Sequence, residues 1–188
     1  MVELPHRHWI SVDEYHRMAE VGLLAPDARV ELIEGEIVDM APIGNSHRGT
    51  VMRLDTLLHE ALGRRAVVLC QSSIRLDDYS EPEPDLAVLK PRADFYVNAS
   101  PGATDTLLVI EVSDTTWRYD RTRKVPFYAA RGVPEVWLVD LPRSTLYCFR
   151  SLSGGRYTEE SSTQDPGITS VPNVPGAAVD LRKLFGAD

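Results

Sequence analysis

A chain of 188 residues with 43% hydrophobic and 26% charged side chains can bury a core of its own and is too apolar for a disordered segment. A single domain covering 1–188 is the expectation. The net charge of −8 and pI near 5.1 argue against tight, metal-free binding to nucleic acid, because that affinity comes from Lys and Arg neutralising phosphates.

Along the chain, Ser11-Val12-Asp13-Glu14 has the form of a capping box, and the helix it opens runs to about Val21, before Gly22 and Pro26. Arg29–Ile33 and Glu36–Met40 alternate about Glu34-Gly35 and predict a hairpin. Ser46 is a candidate cap for a second helix carrying Val51, Leu54, Leu57, Leu58 and Leu62 at helical spacing and ending at Gly63. Strands are expected at Ala66–Gln71, Ser73–Leu76 and Asp85–Leu89, and a loop over 91–106. The apolar run Leu107–Val112 predicts a strand leading through Ser113-Asp114-Thr115-Thr116 into a helix over Tyr119–Arg131, bent at Pro126 and ended by Gly132. Further strands are expected at Glu135–Val139, Thr145–Arg150 and Arg156–Thr158, then a turn of helix over Asp180–Phe185. The order predicts an α/β (α+β) fold with a central mixed sheet flanked by helices.

Cys70 and Cys148 sit in apolar runs without metal-ligand spacing and read as buried thiols. Met1-Val2-Glu3-Leu4-Pro5-His6 lacks the charged start and apolar stretch of a signal peptide, and no run reaches the roughly 18 apolar residues of a membrane span. A cytoplasmic protein without membrane contact is the expectation.

The chemistry concentrates in two carboxylates. Asp85 opens the apolar run Asp85–Leu89, and Glu111 shares a strand face with Leu107 and Val109 by period-two alternation. A carboxylate so buried is costly unless a cation or metal neutralises it. On adjacent strands the two would make a site for a hard divalent cation, Mg²⁺ with Mn²⁺ as substitute, able to stabilise a phosphoryl transition state and activate water. Lys124, thirteen residues after Glu111, shares a helix face with Asp120, Phe127 and Tyr128. It is either a solvated lysine or a charge aimed at the two acids. Glu31, on the first hairpin strand, is a surface residue or a third acid. His47, at a helix start, and Gln71, at a strand end, are candidate phosphate contacts. Arg118, Arg121, Arg123 and Lys124 face one acid, Asp120, within seven residues, either as a solvated face or as a phosphate-contacting ridge.

Val30–Ile37, Glu83-Pro84-Asp85-Leu86-Ala87-Val88, Ile110-Glu111-Val112-Ser113, Tyr119-Asp120-Arg121 with Lys124 and Tyr128-Ala129, and Gly132–Asp140 resemble the Uma-type restriction-endonuclease-like family of the PD-(D/E)XK nuclease superfamily. The resemblance extends from about Ser11 to Leu184-Phe185. It implies a restriction-endonuclease-like core with a Mg²⁺-dependent site in which Asp85 is the motif aspartate, Glu111 the second acid and Glu31 the early glutamate. The superfamily lysine would stand two residues after the second acid, where this chain has Ser113; the resemblance assigns its part to Lys124. The implied function is a metal-dependent endonuclease acting on nucleic acid, DNA above all. Its rival is a catalytically silent nuclease fold serving as a nucleic-acid-binding or protein-interaction module. A paired-carboxylate glycosidase is disfavoured because Trp9, Trp117 and Trp137 are widely separated. A homodimer is expected, with the apolar tail and Glu135–Val139 as surfaces.

Overall fold

The structure, a computed structural model, describes residues 7–185; the Met1–His6 segment read for a signal peptide lies outside them. Helix α1 (Val12–Glu20) begins with the predicted capping box. The Ser11 hydroxyl accepts from the Glu14 amide at 3.2 Å, and the Ser11 amide donates to Glu14 Oε2 at 2.8 Å. The hairpin β1 (Val30–Ile33) and β2 (Glu36–Asp39) follows as predicted. Its turn needs positive φ at both Glu34 and Gly35, which suits the twist of the flanking strands. Helix α2 (Asn45–Leu62) ends at Gly63 with φ 55°. It starts earlier than expected, with Gly44 and not Ser46 at the N-cap.

Six strands form the central sheet in the order β3 (Val67–Cys70), β4 (Leu86–Leu89), β5 (Thr106–Ser113), β6 (Val136–Asp140), β7 (Thr145–Ser153), β8 (Arg156–Thr163). Only β5 and β6 run parallel. Their crossover is one right-handed helical run: α3 (Trp117–Tyr119), a π turn (Asp120–Lys124) and α4 (Val125–Ala130). The expected disturbance at Pro126 takes this form: the Val125 amide reaches back five residues to the Asp120 carbonyl, and the ladder widens ahead of the residue that has no N–H.

Strands β4, β5 and β6 are buried throughout, and alternation sends their side chains into two cores. Leu86, Val88, Ile110 and Val112 pack with α2 and the chain end; Ala87, Leu89, Val109 and Leu138 pack with Val125, Phe127 and Tyr128.

Four expectations are corrected. Ser73–Leu76 forms no strand: across from it stand Pro82 and Pro84, which have no amide for a ladder, and the segment makes isolated bonds such as Ile74 N–H to the Pro82 carbonyl at 3.0 Å. The tail makes a small hairpin, β9 (Ile168–Ser170) with β10 (Ala178–Asp180), and then turns without forming helix. Cys70 is exposed on the edge strand, whereas Cys148 is buried as expected. Both proposed dimer surfaces are used within the chain: β6 lies between β5 and β7, and Leu181 and Leu184 sit in the core. Among the described residues no helix is long and apolar enough to cross a membrane.

Candidate active site

The antiparallel register pairs Leu86 with Ile110 and Ala87 with Val109. Carried one residue further, it sets Asp85 opposite Glu111 on one face. Asp85 has left the ladder, and its Oδ2 accepts the Val112 amide at 2.8 Å. The same oxygen bonds His47 Nε2, on the first turn of α2, at 3.0 Å. His47 Nδ1 is buried without a partner.

Lys124 reaches the site from the π turn. Its Nζ lies 3.2 Å from Glu111 Oε1 and 3.1 Å from Glu31 Oε1, and all three side chains are at least nine-tenths buried. The Tyr128 hydroxyl, one turn on, donates to Glu111 Oε1 at 2.6 Å, and the Glu83 amide donates to Glu31 Oε2 at 3.2 Å. Asp120, one turn back on the same face, accepts from the hydroxyls of Ser113, at 2.6 Å, and Thr116. Ser113 thus stands where the superfamily pattern would have a lysine, and it ties the strand end to the helical run.

Asp85, Glu111, Lys124, Glu31, Asp120 and His47 line a cleft of about 470 Å³ between the hairpin, the start of α2 and the helical run. Seven of its lining residues are acids, including Asp39 and Asp114; the cations are Lys124, Arg29 and, when protonated, His47. The imbalance shows in the ionisation. Burial raises Glu111, against the pull of Lys124. Burial likewise raises Glu83, and raises Asp120 against the hydroxyls that bond it. Burial opposes the charge on Lys124, but Glu111, Glu31 and Asp120 together hold it above the ordinary lysine value. The bond to Asp85 raises His47.

Among the described residues no three His, Cys, Asp or Glu side chains form a metal-holding group. The donor set is a facing pair whose hydrogen bonds engage Asp85 Oδ2 and Glu111 Oε1 and leave Oδ1 and Oε2 to other partners. That set suits Mg²⁺, which takes one or two carboxylates and completes its shell with water and phosphate oxygens.

Asp85, Glu111, Lys124, Glu31 and His47 therefore meet in one cleft. Gln71 and the arginine ridge do not. Gln71 is exposed at positive φ, tied through its amide to the Asp85 carbonyl. Arg118 and Arg123 are exposed away from the cleft. Arg121 pairs with Glu160 at 2.9 Å and lies 5.0 Å from the Phe149 ring centre. Sequence reading missed Glu83 and Tyr119 as cleft residues, and it missed Arg29. Glu83 had a signal, since it sits two residues before Asp85 on a proline-stiffened segment.

Residues 12–182 match the profile of the Uma2 family, described as "Putative restriction endonuclease". "Uncharacterized protein sll1609" of Synechocystis sp. is 29% identical over 127 residues, covering 64% of this chain and 68% of that protein. The crystal structure of "a putative nuclease belonging to DUF820" from Anabaena variabilis superposes with a TM-score of 0.72 over 94% of this chain and 97% of that one, at 18% identity. At that identity the likeness is one of fold.

Proposed function

The chain belongs to the Uma2 family, and from that membership and the chemistry of its cleft we propose that it is a metal-dependent endonuclease hydrolysing phosphodiester bonds in nucleic acid, with DNA as substrate. The observation that carries the reading is that Asp85, whose Oδ2 accepts the Val112 amide, and Glu111 line one cleft, with Lys124 Nζ 3.2 Å from Glu111. Mg²⁺ or Mn²⁺ would be held by Asp85 and Glu111, and when bound it supplies charge neutralisation at the phosphate and an acidified water.

The other residues do what their bonds allow. Lys124 keeps its charge through neutral pH and has a third N–H left for an attacking water or a phosphate oxygen. Glu31 is a positioning residue, joining Lys124 to the Glu83 amide. Tyr128 holds one oxygen of Glu111 and His47 one oxygen of Asp85, which leaves each carboxylate an oxygen for the metal. A solvent-facing Lys124 would have favoured the silent-module rival; its burial between two acids supports the catalytic reading. Two such sites related by two-fold symmetry would cut both strands of a duplex, so a homodimer completes the reading, built on surfaces other than the tail and β6. Light scattering that returns the 21.0 kDa of one chain at micromolar concentration would remove the dimer alone.

The test is cleavage of single- and double-stranded DNA and of RNA with Mg²⁺, Mn²⁺ or EDTA. Cleavage of DNA that needs the metal and disappears in Asp85→Ala is the expected result. Cleavage that survives EDTA or the substitution overturns the proposal.

A further inference from the structure

Beyond the cleft, the surface continues in a direction that the acidic composition makes unusual. Asp114 lines both the cleft and a second depression over the first turns of α2 and the Leu141–Ser144 turn; Pro142 lines that depression and a third, on β7 and β8. The three form one path across the strand ends. In a chain with 28 acids against 20 Lys and Arg, the second and third depressions have Asp114 as their one acidic lining residue and are otherwise rich in hydroxyl and amide side chains, with Arg53 and Arg143.

Arg143 is held in place at the far end. Its guanidinium lies 4.7 Å from the Trp117 ring centre, and its Nη1 donates at 2.8 Å to Asp140, which is fully buried. The side chain is still 57% exposed. The described hydrogen bonds of the guanidinium use Nη1 only, so the other nitrogens are left for a ligand. The Arg143 carbonyl in turn accepts from Gln164, on the facing side of the third depression, at 3.0 Å. An arginine fixed by an aromatic face and a buried acid, beside serine and threonine hydroxyls, is suited to phosphate oxygens, because little side-chain freedom remains to be lost on binding.

We propose that this path is the track for the polynucleotide strand flanking the scissile phosphate, with Arg143 as a phosphate contact at its far end. The inference rests on the nuclease reading for what lies in the cleft, but binding along the track is measurable without cleavage. A fluorescein-labelled 30-nucleotide DNA is titrated by anisotropy with the full chain in Ca²⁺ at several salt concentrations. Arg143→Ala raises Kd at least about fivefold and lowers the salt slope by about one. Ser162→Glu, on an exposed position of the third depression, weakens binding in the same way without removing any core contact, which separates the effect from misfolding. Arg64→Ala, on an exposed residue beyond the end of α2, leaves Kd unchanged. In cleavage, Arg143→Ala raises KM for the 30-mer and has no such effect on a dinucleotide short enough to occupy the cleft alone.

Kd unchanged in both groove variants overturns the track even if cleavage is robust. Equal or tighter binding of poly-L-glutamate overturns its assignment to nucleic acid. Loss of binding in the groove variants of a protein that cleaves nothing upholds the track and overturns the nuclease reading.

Discussion

Glu111 is buried where its charge is disfavoured, and that sets its pH behaviour. Burial raises it from 4.5 to about 8, with Lys124 opposing. The folded state then binds more protons than the unfolded state between those values, so the stability Glu111 contributes is complete below about 4.5 and lost as pH rises through about 8. Asp120, Glu83 and His47 are raised too and add with the same sign. In EDTA the melting temperature is expected to fall over that window, and Glu111→Gln to flatten the fall. A melting temperature that rises with pH there would contradict the assignment. Lys124 supplies the second expectation. Lys124→Ala slows cleavage at least tenfold, about 1.4 kcal/mol in the barrier, with metal affinity nearly kept. Lys124→Arg does not restore the rate fully, since a guanidinium is not a compact point charge. Single-turnover rates at saturating Mg²⁺ with a parallel metal titration separate the two quantities.

At the scale of elements, the β1–β2 turn controls Glu31. Gly35 has φ 75°, and a Cβ there would lie 2.8 Å from Trp9 Cβ. Its amide donates to the Tyr79 carbonyl at 2.7 Å, and Leu32 and Glu81 exchange backbone bonds one step further along. Gly35→Ala is therefore expected to cost more than about 1 kcal/mol in a urea titration, and to reduce cleavage in the folded fraction because Glu31 loses its place beside Lys124. An unchanged midpoint would mean the turn absorbs the methyl. The π turn has the corresponding role for Lys124. Its i→i+5 bond just before Pro126 alters the register by which Asp120, Lys124 and Tyr128 share a face, and all three still enter the site. That spacing was readable in the chain, whereas the local widening of the helix was not.

For the molecule as a whole, the proposed metal site would couple folding to cation binding. A ligand that binds only the native state stabilises it by RT ln(1 + [L]/Kd), about 2.7 kcal/mol at a hundredfold excess over Kd. Mg²⁺ or Mn²⁺ is expected to raise the melting temperature. Asp85→Asn should abolish most of that rise, because an amide is a far weaker ligand for a hard cation than a carboxylate. A full metal response in Asp85→Asn, read by differential scanning calorimetry, would put the cation elsewhere.

Local chemistry determined a great deal. The capping box at Ser11, the Glu34-Gly35 turn and the buried runs of β4, β5 and β6 each carry their signal within a few residues. The period-two placement of Glu111 and the three- and four-residue spacing of Asp120, Lys124 and Tyr128 put the acids and the lysine on usable faces before any fold was known. Tertiary packing decided what those intervals cannot encode. Strand β8 is exposed along nearly its whole length and shows no buried periodicity beyond Thr158; it exists because β7 supplies an edge to pair with. Ser73–Leu76 has strand composition but faces prolines that offer no amides. His47 meets Asp85 across 38 residues of sequence, and the arginines flanking Lys124 point away from the cleft because the path of the helical run over the sheet, fixed by the β5–β6 crossover, admits only one of its faces.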